Sequence, residues 1–282
     1  MSSFNFQNAT PDYLERQVRL QCAKHAINHV LQEEKVVKVP PPFAVQGTPV
    51  SGKFIDKATG KAAPDNSSAM DPAIQLNLWE LCDEFDLLQA IQTGYNTPAN
   101  FIRNASPQER CDSVHENMPF EGLVFILSEL NYKTDFKIDT PTNLAAHVAQ
   151  AITTPELLGV ILNLGGGHYT ALSKFLATRS LWNQTDGIVS IEKVAYLESI
   201  PDATGQVQVV IQPVASLEGF LRSLRLYGCI YVYASDDAYP SVAMKRFTTL
   251  SNRPNAVMGG GRKRRATKRR SHRKRKHTQR RR

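Results

Sequence analysis

Apolar residues recur at helical spacing in several stretches of the N-terminal half. In residues 12–32, DYLERQVRLQCAKHAINHVLQ, the face carried by Ala23, Ile27, Val30 and Leu31 predicts a helix with Cys22 near its start. Residues 38–70 break that periodicity with Pro40, Pro41, Pro42, Pro49, Pro64 and the Asp65-Asn66-Ser67-Ser68 cluster, the pattern of a long loop or insertion. From Asp71-Pro72 onward, Ile74, Leu78, Leu81, Phe85 and Leu88 repeat at three and four. This predicts a second helix with Pro72 in its first turn. A third is expected at about 120–130, ahead of a strand at 133–138.

The second half alternates instead. Residues 160–164 read as a short apolar strand, Gly165-Gly166-Gly167 as a turn, and HYTALSKF from His168 as the next strand. Further strands are expected at 181–185, 188–197 and 207–211, then a helix at about 216–226 and a last strand at 229–233. Helices first and strands afterwards predict an α+β fold, a helical N-terminal part packed on an antiparallel sheet. No repeat of solenoid length is present.

Composition adds a division that the pattern does not show. The chain has 282 residues, 41% hydrophobic and 21% charged, enough for an ordinary core. Of its 34 Lys and Arg, 14 lie in Arg262–Arg282, which holds no acid; the other 20 stand against 26 Asp and Glu, leaving residues 1–261 at a net charge of −6. Basicity therefore belongs to the tail. Cys22, Cys82, Cys111 and Cys229 form no short-spaced pair, which argues against a disulfide scaffold and a zinc ribbon and makes a reducing compartment the default. With no signal-peptide core and no run of ~18 apolar residues, a soluble intracellular protein without membrane contact is expected.

The chemistry starts from Cys22. A cysteine at a helix N-terminus meets the positive end of the backbone dipole, which favours thiolate, although a lone cysteine is as a rule a small buried hydrophobe. A thiol protease also needs an imidazole, a group that orients it and an oxyanion donor. His168, after three glycines, stands where an imidazole would edge a cleft. Gln17, five residues before Cys22, is the candidate donor. Asp186 is the candidate orienting group, in a hairpin with the His168 strand. A Cys22–His25 metal pair has no second pair to complete it.

These residues carry a resemblance. Glu15-Arg16-Gln17, Cys22-Ala23-Lys24-His25, Asn28 and Leu31-Gln32 fit E-[KR]-Q-x4-C-A-x-H-x-x-N-x-x-L-Q, which resembles the opening of the Josephin family, papain-like cysteine proteases that remove ubiquitin. Residues 117–138, 160–174 and 217–240 continue the likeness in order. The resemblance implies Gln17 in the oxyanion hole, Cys22 as nucleophile and His168 as general base and acid. The family's third member lies in W-[FY]-N-L-[ND]-S. Aligning Trp182 puts Asp186 there, with Asn183 close by and Tyr196-Leu197-Glu198-Ser199 resembling the end of the same pattern. His25 and Asn28, one turn from Cys22, are expected to stabilise the helix. The implied domain covers residues 1–240 with insertions at about 33–70 and 187–214, followed by a linker at 241–261.

Residues 262–282 cannot bury a core and are expected to be disordered when free. Their charge density suits nucleic acid or another polyanion and resembles a nuclear-import signal; tails of this kind on large-DNA-virus proteins allow a virion location as well as nucleus or cytoplasm. The reading is a cofactor-free deubiquitinating thiol hydrolase acting on ubiquitin or polyubiquitin conjugates. The competing class is a nucleic-acid-associated or virion binding protein that keeps the fold without catalysis, and the two separate on whether Cys22 is activated.

Overall fold

The computed structural model describes residues 13–17, 22–39, 52–95, 98–105, 111, 118–154, 156–165, 168–174, 193–201, 203 and 205–234. Among them the fold is mixed α+β, as the pattern predicts. The first helix, α1 (Cys22–Leu31), is buried at all ten positions. Residues 13–17 are not part of it. Their backbone amides are used elsewhere: Gln17 N–H donates to the Ser199 carbonyl at 2.8 Å and Glu15 N–H to His29 Nε2 at 3.1 Å. An amide committed to another element cannot also close a helical turn.

The proline-rich stretch supplies strands. β1 (Val36–Val37) and β2 (Phe54–Asp56) flank β3 (Ile74–Asn77) in a small sheet, β1 parallel and β2 antiparallel to it. Residues 74–77, expected as helix, are therefore strand. The next helix, α2 (Leu78–Gln92), starts where the Asn77 side chain accepts from Trp79 N–H at 3.3 Å. Asparagine in extended backbone is a strong helix cap, and it overrides the start signal of Pro72. Two helices were not anticipated: α3 (Pro98–Asn104) and, after α4 (Phe120–Glu129) and β4 (Lys133–Lys137), α5 (Pro141–Ala151). The start of α5 was legible, since the Thr140 side chain accepts from Asn143 N–H and Pro141 opens the helix.

The main sheet adds β5 (Leu157–Asn163), β6 (Tyr169–Ser173), β7 (Lys193–Pro201), β8 (Val207–Pro213) and β9 (Gly228–Tyr233), with α6 (Val214–Ser223) before the last strand. Its order is β4-β9-β5-β6-β7-β8, antiparallel throughout. Alternation along each strand divides two cores. Ile161, Ala171, Ala195, Leu197, Ile230 and Val232 face α1, α2 and α4, whereas Val160, Leu172, Val194, Tyr196 and Tyr231 face α5 and α6. Both faces of the sheet are thus covered, and α1 lies on the β5, β6 and β7 strands.

The strands expected at 188–197 and 207–211, within the 187–214 insertion, correspond to β7 (Lys193–Pro201) and β8 (Val207–Pro213), which pair with each other and leave β8 at one edge of the main sheet. Cys82 of α2 and Cys111 form a disulfide with Cα atoms 5.0 Å apart, a pairing of sequence separation 29 that only folding brings together. Buried Asp86 fastens the same place, its Oδ1 accepting from Cys111 N–H at 2.8 Å. The strand expected at 181–185, with Asp186, Asn183 and Trp182, lies outside the described residues, as do the linker and the tail. No helix among the described residues is long and apolar enough to cross a membrane.

Candidate active site

Cys22 is the first residue of α1 and 6% exposed. The buried helix aims its N-terminus, where backbone N–H groups have no intrahelical acceptor, at the place where the thiol sits. His168 reaches it from the main sheet, and Cys22 and the imidazole are hydrogen-bonded.

The turn before β6 presents that imidazole. Leu164 N–H donates to the His168 carbonyl at 2.9 Å, His168 N–H to the Gly165 carbonyl at 3.2 Å, and Gly165 N–H to Asn163 Oδ1 at 2.7 Å. Gly165 has φ +84, and a Cβ there would lie 2.3 Å from the Tyr227 ring. Both facts require glycine. On the following residue, Tyr169 O–H donates to the Met118 carbonyl at 2.8 Å and anchors the start of the strand to the segment leading into α4.

The far side of the imidazole is held by Glu198. His168 Nε2 lies 3.0 Å from Glu198 Oε1 and 3.1 Å from Oε2. The pairing of Leu197 with Ala171 between β6 and β7 brings Glu198 to the His168 end of the hairpin. Burial alone would favour the neutral imidazole, but the hydrogen bonds and charges of Cys22 and Glu198 outweigh it and raise the His168 pKa to about 9. The Glu198 carboxyl is lowered: burial opposes ionisation, while His168, the Ile200 N–H and Tyr196 O–H favour it. At neutral pH this is an imidazolium between a sulfur and a carboxylate.

The motif residues around Cys22 build the support. Glu15 Oε1 lies 2.6 Å from His25 Nδ1 and accepts from Asn28 Nδ2 at 3.2 Å, and Oε2 pairs with Lys24 Nζ at 3.0 Å. Burial works against the Glu15 charge, yet His25 and Lys24 hold its pKa down at about 2. Asn28 Oδ1 accepts from Lys35 N–H at 3.1 Å and Val36 N–H at 2.9 Å, and Gln32 Nε2 donates to the Tyr13 carbonyl at 3.2 Å. His25 and Asn28 thus hold chain segments to the helix, the role expected of them. Gln17, the last described residue before Cys22, is anchored to β7: besides its backbone bond to Ser199, its Oε1 accepts from Ser199 Oγ at 2.9 Å. That contact directs the carbonyl end of the amide toward Ser199.

Cys22 and His168 are therefore brought together, and Gln17 is fixed to the residue next to Glu198. Asp186, expected to orient His168, lies outside the described residues; the carboxylate found on Nε2 is that of Glu198. The ending Tyr196-Leu197-Glu198-Ser199 carried that signal, but choosing it required the hairpin length. Sequence reasoning missed Glu15 as the centre of a network that unites three motif positions, Glu15, His25 and Asn28, with Lys24.

The fold and the site define an α+β protein in which a buried thiol meets a half-buried imidazole and carboxylate. No family model and no curated protein matches the chain.

Proposed function

We propose that this chain is a papain-like cysteine hydrolase of the Josephin kind that cleaves the isopeptide or peptide bond after the C-terminal glycine of ubiquitin. The observation that carries the reading is the Cys22, His168 and Glu198 line at the N-terminus of a buried helix. Ubiquitin as substrate rests on the motif from Glu15 to Gln32.

In this mechanism the Cys22 thiolate, paired with the His168 imidazolium, attacks the carbonyl carbon of the scissile bond. The Gln17 amide nitrogen and the Cys22 backbone N–H stabilise the oxyanion; the anchoring of the Gln17 carbonyl end by Ser199 supports that orientation. His168 gives its proton to the leaving lysine amine as the C–N bond breaks, leaving an acyl-enzyme thioester. It then takes a proton from the attacking water, and collapse of the second tetrahedral intermediate frees the ubiquitin carboxylate and returns the thiolate. Glu198 keeps the imidazole oriented and its positive form stabilised throughout. The tail, by its charge, holds the enzyme near nucleic acid in nucleus, cytoplasm or virion.

A ubiquitin probe with an electrophilic C-terminus tests the reading. The natural chain should form a covalent adduct, Cys22→Ala none, and His168→Ala an adduct that accumulates far more slowly. A folded natural chain that stays unlabelled overturns the ubiquitin assignment.

A further inference from the structure

Glu198 is held on more sides than a hydrogen bond to histidine requires. Its Oε1 accepts from His168 Nε2 at 3.0 Å and from Ile200 N–H at 3.1 Å; its Oε2 accepts from His168 Nε2 at 3.1 Å and from the Tyr196 hydroxyl at 3.1 Å. The backbone donor comes with the strand, but the hydroxyl is a choice of side chain. Tyr196 lies two residues before Glu198 on the same face of β7 and is 6% exposed. Its ring meets Phe220 of α6 edge to face, centroids 5.3 Å apart and planes at 73°. A ring wedged between the sheet and α6 delivers its hydroxyl to one point. A glutamate has one more rotatable bond than the aspartate or asparagine of the family pattern, so its carboxylate has more freedom to be removed.

We propose that Tyr196 is a positioning residue whose hydroxyl locks the Glu198 carboxylate against His168, a fourth member of the line running from α6 through the sheet to Cys22. Its role rests on the thiol-hydrolase reading and is independent of the identity of the substrate. The titratable groups facing the line among the described residues are Cys22 and His29 on α1, Tyr169 on β6, and His168 itself. Of these, only His168 contacts the carboxylate, which Tyr196 meets from its own strand.

The test reads Cys22 directly. Iodoacetate alkylates the thiolate at sulfur with loss of iodide, and its negative charge makes the rate depend on the neighbouring imidazolium. The alkaline limb of the rate against pH therefore reports His168 losing its proton. The rate is measured on the full chain, with Cys22→Ala as the blank for Cys229, for the natural chain, Y196F, E198Q and the Y196F/E198Q double variant. Y196F should move the alkaline limb to lower pH by about half a unit to one unit, the size one hydrogen bond supports. The same substitution should do nothing further in the E198Q background, because the group it acts through is gone. An unchanged limb in Y196F, an equal shift in both backgrounds, or a Y196F chain that fails to fold each overturns the proposal, the last by assigning the hydroxyl to stability. Failure of the ubiquitin probe leaves this measurement intact, so the two ideas fall separately.

Discussion

At the scale of single residues, the site turns on which group holds the imidazole. A carboxylate on Nε2 stabilises imidazolium in a way a neutral amide cannot, and together with the Cys22 hydrogen bond it overcomes burial to raise the His168 pKa to about 9. Replacing Glu198 with Gln should lower kcat/KM for a ubiquitin C-terminal amide by about 10³–10⁴-fold, the scale of losing a triad's orienting carboxylate. An E198Q enzyme at full rate would return that role to Asp186 or Asn183. Gly165 is the second decisive residue. An alanine there meets both the positive φ and the Tyr227 ring, so G165A should cost about 1–3 kcal/mol in denaturant unfolding and shift the His168 turn. Adding Y227A should recover only the steric part of that loss, since the backbone strain remains.

At the scale of elements, α1 is a buried helix whose Lys24, Asn28 and His29 side chains bond neighbouring chain segments. Lys24, His25, Asn28 and His29 are all buried, and without Glu15 the Lys24 ammonium would lose its carboxylate and His25 and Asn28 their shared acceptor. Glu15→Gln should therefore cost about 3 kcal/mol of stability, as breaking one side of a buried ion pair does. The pH dependence has a defined sign. With its pKa held at about 2 against an ordinary 4.5, Glu15 contributes fully above 4.5 and loses that contribution as pH falls toward 2. His168, raised from 6.5 to about 9, contributes fully below 6.5 and loses it as pH rises through 9. Melting temperatures across this range should show the acid slope flattened in E15Q and the alkaline slope flattened in His168→Ala. Element boundaries were legible where a local signal dominated: the α1 face and the β9 strand are where the pattern puts them. They were misread at 13–17, whose amides bond the His29 and Gln32 side chains and β7, and at 74–77, whose backbone pairs with β1 and β2.

At the scale of the whole molecule, a body of net −6 carries a tail of 14 positive charges. Deleting residues 259–282 should abolish most low-salt affinity for DNA and RNA in a binding titration while leaving Cys22 labelling unchanged; equal affinity with and without the tail would remove the polyanion partner. The amino-acid sequence by itself determined the α+β class and the charge division, because these depend on local patterns of residue type, and it named Cys22 and His168 as candidates through the separate motifs around each. It also named Gln17 and placed His25 and Asn28 in support. Only the tertiary structure decided that Glu198 meets His168, that Cys82 meets Cys111, that residues 193–213 complete the main sheet, and that Glu15 gathers the N-terminal motif. Each of these joins positions distant in the chain or depends on strand register, where a shift of one residue turns every side chain to the opposite face. A linear pattern can propose the partners of such a contact, but the register chooses among them.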